Sequence, residues 1–290
     1  MTEYITYEQF GAAGDGRTND MPAIVRAHEE ANRLGLPVRA RDGAEYYIAP
    51  KTATAVITTD TDFGEASFVI DDVGLDDIRA PIFDLPPDGE EIDFPLESLA
   101  AGQTSIPNPT GKELFLIVEN GRHMDYIRFG ANQNNGHART DVLLLRADGS
   151  LSSPVSFDFD EITSVSARAL TRKPLTIKGG RFTTIANQCE SKYNYHSRNI
   201  RVRRSDTLVT GLRHYVTGEL DHGAPYSGFL TVSGCAYVRV EDCLFTGHRI
   251  YWTIGAAGTP VPMGSYDIGG GTAVDVAFRR CSQTTDIMDD

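Results

Sequence analysis

Four short segments in the second half of the chain share one pattern. Leu175-Thr-Ile177-Lys-Gly-Gly-Arg-Phe182, Ile200-Arg-Val202-Arg-Arg-Ser-Asp-Thr-Leu208, Val238-Arg-Val240-Glu-Asp-Cys243-Leu-Phe245 and Val276-Ala-Phe278-Arg-Arg-Cys281 each open on an apolar-x-apolar pair. In a strand such a pair points to one face. Polar residues, a small residue and often another apolar one follow. Ile177 to Val202 spans 25 residues, and Val202 to Val240 and Val240 to Phe278 span 38 each. Irregular multiples of a β unit of roughly 20–40 residues predict an all-β solenoid of stacked parallel coils with loops of variable length. One coil cannot bury its own apolar face, whereas stacked coils share a core. Cys243 and Cys281 take the same place in successive units, so buried stacked thiols are expected, with a disulfide between coils as the alternative.

The open edge of a first coil would pair with other chains unless covered. The N-terminal 50 residues supply a cover. Gly11, Gly14 and Gly16 punctuate a loop, Thr18, Asn19 or Asp20 can cap a helix, and Pro22 suits its first turn. Ile24, Ala27, Ala31 and Leu34 then form one apolar face, and Gly35 stands where a helix ends. The glycine spacing matches neither a P-loop nor a dinucleotide fingerprint. The organisation expected is a cap over 1–50, irregular β-rich early coils with long loops over 51–170, and regular coils over 171–290, in one continuous domain. Pro81, Pro86, Pro87, Pro95, Pro107 and Pro109 leave the middle region little room for helix.

Phe10-Gly-Ala-Ala-Gly-Asp-Gly-Arg-Thr-Asn-Asp20, then a helix, then Tyr46-Tyr47-Ile48, resembles the N-terminal signature of the pectate-lyase-like right-handed parallel β-helix superfamily, which includes polygalacturonases, bacterial glycan lyases and phage tailspikes. The segment from Gly211 to Phe229, with Met263 to Ile268, resembles an uncharacterised bacterial and phage subgroup whose members continue further than this chain. The resemblance implies a right-handed β-helix with an N-terminal capping α-helix, and a polysaccharide as substrate or receptor. Polygalacturonase site motifs do not carry over: Asp71-Asp72 and Asp76-Asp77 come too early, Gly247-His248-Arg249 only half-matches the family's G-H-G, and no R-I-K follows.

Charge narrows the partner. The net charge is −13, yet it is uneven: 54–97 carries 13 acids against Arg79 alone, and 168–204 carries ten bases against Glu190 alone. A solvated face explains the first, and the second suits an anionic partner. The overall acidity speaks against nucleic acid. Arg outnumbers Lys 22 to 5, and guanidinium forks bind carboxylates in pairs, as uronates require. No run approaches the length of a membrane span, and Met1-Thr-Glu-Tyr has neither the basic start nor the apolar core of a signal peptide. No cofactor is expected. Calcium is the one ion the acidic stretch could hold, although it contains no D-x-D-x-D-G loop.

The densest polar and aromatic cluster falls between the expected coils. Its candidate catalytic residues are His214, Glu219, Asp221, His222 and Tyr226, and its candidate substrate-binding residues are Lys192, Tyr193, Tyr195, His196, Arg198, Arg213, His248, Tyr251 and Tyr266. Uronate β-elimination would use His214, His222 or Tyr226 as base or acid, with Arg213 or Arg198 clamping the carboxylate. Hydrolysis would use Glu219 and Asp221, which share a face of an extended strand, as two carboxylates about 5.5 or 6.5–9.5 Å apart. For each residue a structural role in a loop competes. Two functions follow: an extracellular lyase or glycoside hydrolase acting on an acidic glycan, or a non-enzymatic, virion-associated spike or fibre that binds cell-surface polysaccharide as a homotrimer or within a larger particle.

Overall fold

The computed structural model describes residues 3–75, 77–126, 136–189, 195–220, 225–246, 251–254, 260–263 and 266–284. Strand is the commonest regular element among them, and the two largest sheets, of eleven and five strands, have ladders that are all parallel.

The cap forms as its glycines and acids dictate. Gly14 and Gly16 take left-handed φ values of 61° and 71°. Between them the Asp15 carboxylate accepts the Arg17 and Thr18 amides and the Thr18 hydroxyl, which fixes the turn. Asp20 is the N-cap of helix α1 (Met21–Leu34), but its side chain turns backwards and accepts the Ala13 and Gly14 amides at 2.6 and 3.2 Å. One residue thus joins the loop to the helix. The buried face of α1 is Met21, Ala23, Ile24, Ala27, His28 and Ala31. Leu34, expected on that face, is exposed, and His28 is enclosed instead, its Nε2 3.1 Å from the Tyr7 hydroxyl.

Beneath the cap the chain runs through three parallel ladders in a fixed order. The first contains Val38–Arg39, the start of Thr61–Asp71, the start of Leu175–Ile185, Thr207–Thr210, Ala236–Glu241 and Val274–Arg279. The second contains Glu45–Ile48, the ends of the two long strands, Arg213–Thr217, Leu244–Phe245 and Ser282–Gln283. The third contains Ala55–Val56, Phe83–Leu85, Ile200–Val202, Ser227–Ser233 and Tyr266–Gly271. The long strands turn from first to second ladder at Gly64 and Gly179-Gly180. A Cβ on Gly179 would lie 2.6 Å from the Gly64 carbonyl oxygen, so the close approach requires glycine.

The register corrects the repeat. Ile177 pairs with Val209, Val209 with Val240 and Val240 with Phe278, giving intervals of 32, 31 and 38 residues. Val202 belongs to the third ladder, between Leu85 and Val232. Inward pairs on every ladder read apolar-x-apolar, so the pattern alone does not say which ladder a segment joins. Cys243 and Cys281 are free thiols just before the paired strands Leu244–Phe245 and Ser282–Gln283, the first buried and the second half-buried.

The interior is aromatic. Tyr46, Phe68, Phe182 and His214 are register neighbours down the second ladder. The Phe68 and Phe182 rings stack with centroids 4.9 Å apart, and Phe63, Phe83 and Phe229 pack edge-on or tilted around them.

Residues 86–174 leave this stack. Leu114–Tyr126, His137–Leu145 and Ser164–Ala169 form a separate antiparallel sheet with its own core, including Leu114, Leu116, Val118, Leu143, Leu145 and Phe159. Its other face, through Phe115 and Leu144, packs on Ala236. The expectation of early coils over 51–170 therefore describes only the strands up to Leu85.

Candidate functional site

Between the second and third ladders lies a polar corner that brings together three of the sequence candidates, His196, Arg198 and Tyr226. Asp72 follows the long strand Thr61–Asp71, and Arg198 and Tyr226 lead into adjacent strands of the third ladder, Ile200–Val202 and Ser227–Ser233. Arg198 is wholly enclosed: its guanidinium donates to the Lys51 and Ala49 carbonyls at 2.9 and 2.8 Å, and its Nε lies 3.8 Å from Asp72 Oδ1. Tyr226 donates to Asp72 Oδ2 at 2.9 Å and accepts the Asn187 amide at 3.0 Å. His196 bridges to Tyr226, with ring centroids 5.4 Å apart. Burial pushes the Asp72 carboxyl up to about 7 against the attraction of Arg198 and the Tyr226 hydrogen bond. The same burial lowers the Arg198 guanidinium and raises the Tyr226 phenol. This corner has the groups of a proton-transfer site, but they are interior and cross-link consecutive chain turns.

His214 is interior as well. Its ring lies flat on Phe229 at 3.9 Å with 2° between planes, and Nε2 is 2.9 Å from the Thr184 hydroxyl. It fills an aromatic position of the second ladder below Phe182. Arg213, its neighbour, points outward and is exposed. Glu219 is half-buried after that strand. Asp221, His222, Lys192, Tyr193 and His248 lie outside the described residues. Tyr251 is on the strand Tyr251–Ile254, paired antiparallel with Pro260–Met263.

Two candidates do come together on the outside. Tyr195 and Tyr266 stack with centroids 6.1 Å apart and 25° between planes, at one end of an open groove of about 770 Å³ on the third ladder. Tyr266 is held there by its amide, which donates to the Tyr226 carbonyl at 3.0 Å. Ser227, Thr231 and Ser233 line the groove, and Gly269, Gly270 and Gly271 leave bare backbone as its floor. Gly228 must be glycine: a Cβ there would meet the Gly269 nitrogen at 2.6 Å. Arg201 is the register neighbour of Thr231, one of the residues that line the groove. It and Arg203 both hold Asp84, at 2.9 and 2.7 Å. Burial alone would raise the Asp84 carboxyl, but the two guanidiniums outweigh it and keep it below its usual value. Sequence reasoning passed over Arg201, Arg203, Thr231 and Ser233, although Arg201-x-Arg203 alternates with Ile200 and Val202 and so announces two cations on an outward face.

Among the described residues no cluster of His, Cys, Asp and Glu is arranged to hold a metal ion, and no helix is long and apolar enough to cross a membrane.

No family model and no curated protein sequence matches the chain. Solved structures do resemble it. The tailspike gp61 of Pseudomonas phage phi297 aligns with a TM-score of 0.50 at 12% identity, over 98% of this chain and 52% of that one. The tailspike gp49 of Pseudomonas phage LKA1 gives 0.48 at 16%, over 96% and 51%. The gp54 tailspike of Acinetobacter baumannii bacteriophage AP22, solved in complex with A. baumannii capsular saccharide, gives 0.36 at 9%, over 89% and 48%. The chain spans about half the length of these tailspikes. At such identity the phi297 likeness concerns the fold alone.

Proposed function

We propose that the three ladders are the sides of a right-handed parallel β-helix, capped by α1, that binds polysaccharide in the groove of the third ladder. The observation that carries this reading is the pair Tyr195 and Tyr266 above a glycine floor bordered by Ser227, Thr231 and Ser233. Aromatic faces pack against the CH faces of sugar rings, hydroxyl side chains match sugar hydroxyls, and bare backbone lets a ring approach closely. The fold shared with the phi297 tailspike supports a spike that sits on a virion or outside the cell and assembles as a homotrimer. Binding without turnover is favoured over lyase or hydrolase chemistry because His214 and Tyr226 are interior, away from any saccharide on the surface.

A panel of capsular and acidic polysaccharides tests this by calorimetry, with absorbance at 235 nm and reducing ends followed in the same samples. The reading expects binding that Tyr266→Ala weakens about tenfold, the loss of one good stacking contact, with neither absorbance nor new ends. Product formation would replace it with the enzymatic reading, and undiminished binding by the variant would move the site elsewhere.

A further inference from the structure

Charges on the outward faces of the ladders are arranged by two different rules. On the first ladder one outward row runs in register Arg39, Asp62, Lys178, Thr210, Glu241, Arg279. Cation and anion alternate, and Lys178 to Asp62 (3.2 Å) and Arg279 to Glu241 (3.8 Å) close ion pairs along it. On the third ladder Arg201 and Arg203 share Asp84. On the second ladder the outward row runs Glu45, Ser67, Arg181, Arg213, Leu244. Here two exposed arginines are direct register partners, with strands about 4.8 Å apart, and Ser67 and Leu244 on either side bring no charge. Among the described residues neither arginine makes an ion pair. Like charges directly opposite on neighbouring strands oppose pairing. Tyr215 sits beside them, with the Arg181 guanidinium over its ring at 4.4 Å. That contact holds one guanidinium flat and leaves its N–H edge to solvent.

We propose that Arg181 and Arg213, with Tyr215 positioning Arg181, form an oxyanion-binding strip that takes the carboxylates of an acidic polysaccharide. Two forks at the strand spacing present parallel N–H donors along the stack, a geometry that suits a row of carboxylates better than a single small ion. An anion bridging them removes the repulsion that the register creates. The choice of probe rests on the polysaccharide reading above, but this strip lies on a different ladder from the Tyr195–Tyr266 groove, so the two can fail separately.

The test uses the whole chain with polygalacturonate, neutral dextran and sodium sulfate as probes. Arg213→Gln and Arg181→Gln should each weaken polygalacturonate binding about tenfold, the effect of one charge-assisted contact, and leave any dextran binding unchanged. Lys178→Gln, which removes the same charge from the first ladder, should not weaken it. Without ligand, Arg213→Gln should melt no lower than the parent, since it relieves a like-charge contact, and polygalacturonate should raise the melting temperature of the parent but not of the variant. The proposal is overturned if Arg213→Gln binds polygalacturonate as the parent does or if Lys178→Gln weakens binding equally. It is also overturned if sulfate at equal charge concentration stabilises the parent as much as the polymer.

Discussion

The cap and the polar corner each bury a titratable side chain, and they do so in opposite ways. In the cap, His28 lies among Tyr7, Phe83 and the apolar face of α1, with the Tyr7 hydroxyl at Nε2. Burial alone pushes it down to about 3, so it is neutral at any ordinary pH. At the corner, Asp72 faces Arg198 and Tyr226, and burial against that company leaves it at about 7. A lone group in an apolar setting is silenced, whereas a paired group is left near neutrality. Polar residues in this fold can therefore serve as core, and their chemistry depends on what encloses them.

The comparison breaks most severely if one partner of the corner pair is removed. Arg198→Met leaves Asp72 without its counter-ion and two carbonyls without donors, which should cost about 3–5 kcal/mol in denaturant unfolding. The double variant Arg198→Met/Asp72→Asn should recover a substantial part. If the double variant is no more stable than the single one, the pair is not coupled in the way its geometry implies.

How much of this was legible beforehand differs between the same two regions. The cap was legible because its determinants are local: glycines at left-handed positions, Asp20 next to Pro22, an apolar repeat of helical period. Only His28 was not, since a histidine on a helix gives no sign that its face is covered. The corner was only half legible. Arg198 and Tyr226 stand out in the sequence, but Asp72 is 126 residues from Arg198 and separated from it by the antiparallel excursion, so nothing local joins them. The groove was legible through Tyr195 and Tyr266 and hidden in its floor, because glycines and serines on an outward strand face look like any turn. The excursion itself was misread because Pro-rich connections and short apolar runs fit irregular coils as well as a small separate sheet.

The next effect is a dependence on pH, in which the two regions act with opposite sign. His28 has a folded pKa below its unfolded value of 6.5, so its contribution is present above pH 6.5 and is lost as pH falls toward 3. Asp72 has a folded pKa above its unfolded value of 3.8, so its contribution is present below pH 3.8 and is lost as pH rises toward 7. Each has a limiting slope of about 1.4 kcal/mol per pH unit. Between pH 4 and 6.5 they oppose one another. Asp72→Asn removes one side of that balance, so its denaturation midpoint should fall more steeply on acidification than that of the parent. Equal slopes for the two proteins would show that Asp72 titrates as it does in an unfolded chain.

The smallest effect separates the interior column from the catalytic role that His214 invites. A histidine between Arg213 and Tyr215, close to Glu219, has the local sequence of a general base. Its position has that of a core residue, in register with Phe182 and Phe68, flat against Phe229 and hydrogen-bonded to Thr184. His214→Phe keeps a flat ring in an aromatic column and gives up one hydrogen bond, leaving the Thr184 hydroxyl to find another partner. Such a swap should cost about 1–2 kcal/mol, set by the buried hydroxyl more than by volume. His214→Ala opens a cavity beneath Phe182 and should cost more, in the range of about 2–5 kcal/mol. A base would show no such ordering in function, since phenylalanine and alanine are equally unable to accept a proton. Saccharide binding that survives His214→Phe and declines in His214→Ala only as far as folding does would place the residue in the column. Equal abolition of binding or turnover by both, with folding intact, would return it to the site.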